Sequence, residues 1–320
     1  MNPANKGFHA LHYTYIKPPG NPFPRILSNS VSVFRDHIKK LSRTYQVVSP
    51  QQVLDFYRGK KLQKTGLLFT FDDGYSDHYY AAKILRKLGI RALFFIPTCI
   101  LTDDQPINPT IIHYCIAKYG TLKFIASLKE AAKKFKIPLP ALKYKMGDDY
   151  WPVIAEIKKI SKYILSPSDS RKIFLYVYES TFHRDYKNAM EIMYMTRAQI
   201  KEVIEMGHSI GSHTHNHFSI GSTNLSKSKR AEEIISSGQI LKKYFGVKIN
   251  ALAYPYGESS DCLSAKKLLD ITENYDLAFT VKEKINSPTD SPLEIGRYAP
   301  LSKDTAEDII MKLIKISKNS

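Results

Sequence analysis

The chain has 320 residues, 43% hydrophobic and 24% charged, which sets aside a disordered chain and suits one large domain or two small ones. Its formal net charge of +17 admits acidic partners such as nucleic acid, anionic lipid or an acidic glycan. The lysines are spread along the chain ("KKLQK", "AAKKFK", "LIKISK"), and no basic block carries the interleaved aromatics of a nucleic-acid platform, so nucleic acid is not expected.

In chain order, "FHALHYTYI" (8–16) reads as a strand and "PPGNPFPR" (18–25) as a loop. Apolar residues recur at helical spacing over 30–45: Val31, Val33, Phe34, Ile38 and Leu41. "YQVV" is a short strand, after which Ser49 caps a helix with Pro50 at its first position. "GLLFTF" (66–71) is a buried strand, "SDHYYAAKILRKLGI" (76–90) a helix closed by Gly89, and "RALFFIP" (91–97) another buried strand. Continuous apolar strands alternating with helices signal a parallel α/β sheet. Residues of about 101–190 break this pattern, being helical and rich in Lys and Tyr with no strong buried strand. Alternation resumes with a helix over 196–207, a strand at "HSIGSHT", a long helix over 226–246, a strand at "INALAYPYG", a helix at "LSAKKLLDITENY", a strand at "LAFTV" and a C-terminal amphipathic helix. The expected organisation is one domain over 1–320 with a helical insertion at about 101–190. In a barrel of such units the chemistry sits at the carboxyl ends of the strands.

Two clusters fall at those ends. Asp72 and Asp73 follow a buried strand, where adjacent like charges repel. An N-cap before Gly74 explains one aspartate but not two. The second cluster, "HSIGSHTHNHFS", holds His208, His213, His215 and His217. A helical turn aims His213 and His217 at one point, and an extended chain puts 213, 215 and 217 on one face. Two imidazoles with one carboxylate make a catalytic metal site with open positions. A structural zinc site is not expected, because Cys262 is the only downstream cysteine. Asp73 can then bind the cation while Asp72 stays free as a base, the cation offsetting their repulsion.

"TFDDG" (70–74), "SHTHNH" (212–217) and "AYPYG" (253–257), in this order, resemble the first three motifs of the polysaccharide deacetylases, the NodB-homology domain of carbohydrate esterase family four. "IKEVIEMGHSIGSHT" resembles the family's approach to its histidines, and "HALHYTYIKP" with "TDDQPINPTIIHYCIAKYG" resembles a branch associated with surface-glycan gene sets. The resemblance implies a distorted, incomplete (β/α) barrel of about seven parallel strands. It implies that Asp73, His213 and His217 bind a divalent cation, most often zinc, with cobalt or nickel possible. Asp72 would be the general base, and the backbone N–H of Tyr256 would face the oxyanion. The implied reaction removes an N-acetyl group from an amino sugar of a surface polysaccharide or its precursor. A deformylase or other C–N amide hydrolase on the same fold is the alternative within hydrolases, and a catalytically silent glycan-binding protein the alternative outside them.

The chain departs from the family pattern twice. The arginine that commonly opens the third motif is replaced by Ala253, and Arg297 in "EIGRYAP" is expected to supply the guanidinium. The late Leu-x-His motif of the catalytic acid is missing, the last histidine being His217. Related branches place a Tyr-His near the N-terminus, where this chain has Tyr13-Thr14. His12, on the same strand face as Thr14, becomes the candidate acid. His113 is expected to pack in the core or insertion, while Trp151 and the insertion's tyrosines are candidates for stacking on sugars. Cys99, Cys115 and Cys262 form no CxxC pair, which suits a reducing compartment. With no signal-like apolar core in "MNPANKGFHALHYTYIKPP" and no run near the ~20 residues of a membrane span, a cytoplasmic location is expected. Ile309, Ile310, Leu313 and Ile314 beside Lys312, Lys315 and Lys318 suggest peripheral contact with an anionic membrane.

Overall fold

A computed structural model describes residues 7–17, 22–142, 150–221, 225–262, 267 and 274–319. Its first strand, β1 (Phe8–Tyr13), is followed by the short strands β2 (Ile16–Lys17) and β3 (Asn29–Ser30), which pair with each other. Helix α1 (Val31–Thr44) starts at Ser30, whose hydroxyl accepts from Val33 N–H, and buries Phe34, Ile38 and Leu41. Strand β4 (Gln46–Val47) leads to α2 (Pro50–Tyr57), where Ser49 and Gln52 cap each other reciprocally. Then come β5 (Gly66–Phe71), α3 (His78–Lys87), β6 (Leu93–Ile96), β7 (Ser209–Ser212), β8 (Ala251–Ala253) and β9 (Leu277–Phe279). Among the described residues the sheet has seven strands in the order β1-β5-β6-β7-β8-β9, with β4 beside the start of β5. Every pairing is parallel.

Side-chain alternation sorts the strands into two cores. Phe8, Ala10, Leu68, Leu93, Phe95, Ala251, Ala253, Leu277 and Phe279 form one buried cluster, enclosed by the curved sheet. Their neighbours Leu11, Tyr13, Phe69, Phe71, Phe94, Ile96 and Leu252 join the larger cluster under the helices. The inner core is tight: a Cβ on Gly211 would meet the Phe95 ring at 2.6 Å and the Ala251 carbonyl oxygen at 2.8 Å. The sheet does not close strand to strand. Between β9 and β1 runs the irregular segment 295–298, in which Ile295 bridges Phe279 and Tyr298 bridges Leu11. Ile295 N–H donates to Ala278 and Thr280 N–H to Ile295 on one side, while Tyr298 N–H donates to Ala10 and His12 N–H to Tyr298 on the other. The α/β fold is therefore a distorted, incomplete barrel of parallel strands, as expected.

Between β6 and β7 the described residues of 101–190 are helical, with helices at Asn108–Tyr119, Thr121–Phe135, Tyr150–Lys159, Pro167–Val177 and Ala189–Met193. The Tyr150–Lys159 helix continues as a π-helical turn over Ile160–Ile164. Helix Arg197–Glu205, capped reciprocally by Thr196 and Gln199, returns the chain to β7. The helix expected at "LSAKKLLDITENY" lies almost wholly outside the described residues, as does the Trp151 side chain. The C-terminal helix Ala306–Asn319 packs on α1 and buries Ile309, Leu313 and Ile316. Of the stripe that suggested membrane contact, Ile309 and Leu313 thus belong to the core, Ile310 is half-buried and Ile314 is exposed. Among the described residues no helix is long and apolar enough to cross a membrane.

Candidate metal centre and catalytic cleft

Strand register brings the predicted groups to one end of the barrel. His12 pairs with Thr70 across β1 and β5. It lies on the inward face with Phe8 and Ala10, and Asp72 lies one pleat beyond Thr70 on the same face. His12 Nε2 is 3.3 Å from Asp72 Oδ2. Arg297 enters from the closing segment, two residues past the inward Ile295. Its Nη1 and Nη2 donate to Asp72 Oδ1 and Oδ2 at 2.7 and 2.8 Å, its Nε to the Thr280 carbonyl at 2.9 Å, and Nη1 also to Thr70 Oγ1 at 3.2 Å. This side chain is only 2% exposed and lies over the Phe95 and Phe279 rings. Burial alone would raise the Asp72 carboxyl, but Arg297, then His12 and His213, hold it well below the usual carboxylate range.

Asp73 turns the chain away from β5 with φ +75° and points its carboxylate at two imidazoles. Asp73 Oδ1 is 3.3 Å from His213 Nε2 and 3.4 Å from His217 Nε2. The ligating atoms of Asp73, His213 and His217 all lie within 4.8 Å of one another. His213 Nδ1 donates to the Ala253 carbonyl at 2.8 Å, which leaves Nε2 with its lone pair free for a cation. Asp73 Oδ1 is buried without a hydrogen-bond partner, a costly state that a bound cation relieves. One carboxylate and two imidazoles suit a catalytic divalent cation with open positions, so the residues fit the implied metal.

The loops holding this triad are shaped by groups that sequence reasoning missed. Glu233, on the helical segment after β7 and 2% exposed, accepts from the backbone N–H groups of His215 and Asn216 and from the Asn216 amide, at 3.0, 2.7 and 2.7 Å. It thereby fixes the turn between His213 and His217. Thr214 and His217 both adopt positive φ there, at +63° and +59°. Tyr256 does the same at +63°, its ring edge-on to His217 at 4.9 Å. Four of the six described non-glycine residues with positive φ thus line the site, strain that concentrates where geometry must be held. His215 turns elsewhere, its Nδ1 2.8 Å from Thr98 Oγ1 and its Nε2 3.3 Å from Asp103. His208 lies beneath the sheet, bonded to Ala92 N–H and the Ala82 carbonyl.

His12, Asp72, Asp73, His213, His217 and Tyr256 line a cleft of about 160 Å³ together with Thr14, Pro109, His113, Lys158, Tyr254 and Val281. His113, expected to be packing, is buried yet reaches this wall, its Nδ1 2.9 Å from the Tyr15 hydroxyl. Lys158 comes from the insertion, and no local pattern in the sequence distinguishes it. Burial lowers the His12 imidazole to about 4 despite the pull of Asp72, so it stands neutral at neutral pH.

A polysaccharide deacetylase family model matches residues 172–277. No curated protein matches the chain. Among solved structures, the deacetylase PplD of Streptococcus pyogenes, in complex with acetate, superposes with a TM-score of 0.57 at 19% identity, over 98% of this chain and 99% of that one. IcaB from Ammonifex degensii gives 0.56 at 21% identity over 96% of each chain. A de-N-acetylase from Aggregatibacter actinomycetemcomitans gives 0.54 at 17% identity over 96% and 99%. Likenesses at these identities speak for the fold.

Proposed function

We propose that this chain, whose resemblance to the polysaccharide deacetylases the family match bears out, is a metal-dependent hydrolase removing the N-acetyl group from an amino sugar of a surface glycan or its precursor. The observation that carries the reading is the convergence of Asp73, His213 and His217 beside an aspartate gripped by a buried guanidinium.

Asp73, His213 and His217 would hold the divalent cation, zinc being favoured by the donor set. When bound, the cation supplies Lewis acidity toward water and the amide carbonyl. Asp72, kept ionised and oriented by Arg297, takes the proton of the attacking water. The Tyr256 backbone N–H donates to the developing oxyanion, a contribution of about 3 kcal/mol in comparable sites. The leaving amine needs a proton, and a neutral His12 does not bring an extra one to the reaction. At 3.3 Å from Asp72, His12 passes on the proton that Asp72 has taken from water. Three free, buried cysteines support the cytoplasmic location as part of the proposal.

Metal analysis of the purified protein, with acetate and formate release measured from N-acetylated and N-formylated amino sugars, tests the reading. Stoichiometric divalent metal with acetate release is expected. Formate release alone would favour a deformylase, and a metal-free, inert protein would overturn the proposal.

A further inference from the structure

The helix Tyr150–Lys159 and its π-helical extension bring two lysines toward the cleft one turn apart, with opposite fates. Lys162 is fully paired. Its ammonium is 2.7 Å from Asp261 Oδ2, in a bridge whose side chains are 7% and 0% exposed, and lies over the Tyr256 ring. Asp261 also accepts from Ser219 Oγ and, at 3.1 Å, from Glu258 N–H. That bridge pins the insertion to the loop after β8. Lys158 lines the cleft with the metal triad and makes no ion pair among the described residues.

The other charges of the cleft are already matched. Asp72 is held bidentately by Arg297, and Asp73 faces two imidazoles that suit a cation. A divalent cation there exceeds the single negative charge of Asp73, so the loaded cleft is more positive still. An uncompensated, partly buried ammonium is costly. Resting on the deacetylase reading, we propose that Lys158 recognises an oxyanionic substituent, carboxylate or phosphate, on the amino sugar presented to the cleft. Burial lowers the Lys158 ammonium to about 8 against the pull of Asp73, a charge that burial disfavours and that an oxyanion beside it would favour. An incoming oxyanion supplies the missing counter-charge and a charge-assisted hydrogen bond. The residue belongs to the insertion, the segment that lies outside the repeating strand–helix units. It can therefore set substrate choice without altering the catalytic groups.

The test is calorimetric binding to the full-length, metal-loaded protein. The probes are N-acetylglucosamine, its 1-phosphate and an N-acetylated aminouronic acid, with Lys158→Gln and Lys158→Arg alongside the wild type. The wild type should bind at least one anionic probe ~10-fold or more tightly than the neutral sugar, as expected for a hydrogen bond between charged groups. The preferred anion identifies phosphate or carboxylate as the natural feature. Lys158→Gln should erase the preference and Lys158→Arg should keep most of it. Thermal melting of Lys158→Gln should show no loss of stability, since an unmatched cation is removed, whereas a merely structural lysine would cost stability. Lack of any preference in the wild type, including no measurable binding of either anion, overturns the proposal. So does a preference that survives in Lys158→Gln, which would assign it to the metal. Acetate release from the same mixtures reports separately on deacetylation.

Discussion

Replacing Arg297 with Met removes a guanidinium that is 2% exposed and makes four hydrogen bonds, two of them to Asp72. Methionine fills much of the apolar stem's volume, so the main loss is electrostatic. Asp72 is itself 4% exposed, and removing one partner of a buried ion pair costs about 3–5 kcal/mol. For a chain of 320 residues, unfolding entropy near the midpoint is about 0.7 kcal/mol per kelvin, so Tm should fall by about 4–7 °C. The pH dependence gives a sharper test. In the wild type the Asp72 carboxyl lies below its unfolded value. Its stabilisation is therefore present above the unfolded value, about 3.9, and is lost as pH falls through the folded one. Without Arg297, burial dominates and raises the carboxyl above its unfolded value. Stabilisation is then present below the unfolded value and lost as pH rises through the folded one. Denaturant melts in chelator from about pH 4 to 8 should show a flat Asp72 contribution in the wild type, whose loss falls below about 3.9, and a contribution that declines with rising pH in the variant. Arg297→Met/Asp72→Asn should recover much of the loss, because no buried charge is left alone. A stability loss near zero, or a pH profile parallel to wild type, would refute the argument.

Asp72→Asn should keep its metal and lose turnover by a factor of about 10² or more, whereas Asp73→Asn should lose metal as well; equal metal content in both, by atomic absorption, would show the roles are misassigned. His12→Gln at constant metal content should lower turnover by about 10²-fold, and near-wild-type turnover would remove it from the proton path. His215→Gln should retain full metal content, because its ring nitrogens face Thr98 and Asp103, and loss of metal would bring it into the ligand set. Asp261→Asn should destabilise by about 3 kcal/mol in denaturant melts by stranding the buried Lys162, and a change within error would deny the bridge its structural role.

Much of this site was legible because its parts are close in sequence or lie at a strand end. Asp72 and Asp73 interrupt an apolar strand, and His213 and His217 sit four apart after another. His12 was reached through the family's N-terminal Tyr-His, which falls on Tyr13-Thr14 here, with side-chain alternation along β1 putting His12 on the same face as Thr14. Arg297 was reachable only through family resemblance, because nothing near "EIGRYAP" signals that the segment closes the sheet. Lys158 and Glu233 were not legible at all. Each is one charge among many on a helix, and its meaning arises when distant segments pack: the insertion over the cleft, and the helix after β7 beneath the histidine turn. The same holds for the four strained residues at the site, whose positive φ follows from tertiary restraint and not from local propensity. The helix start at Ser49 was read closely because the capping chemistry is local.

The segment that closes the sheet gives the site an order of assembly. Arg297 joins Asp72 across 225 positions of chain, so Asp72, the three candidate metal ligands Asp73, His213 and His217, and Tyr256 all emerge from the ribosome before the group that holds Asp72 in place. A nascent chain that folds from its N-terminus would carry Asp72 without its guanidinium partner, and β1 with an open edge, until residues 295–298 dock between β1 and β9. Alignment of Asp72 therefore waits on that segment: a chain halted between Tyr256 and Arg297 would hold the other groups of the site without the guanidinium that orients Asp72.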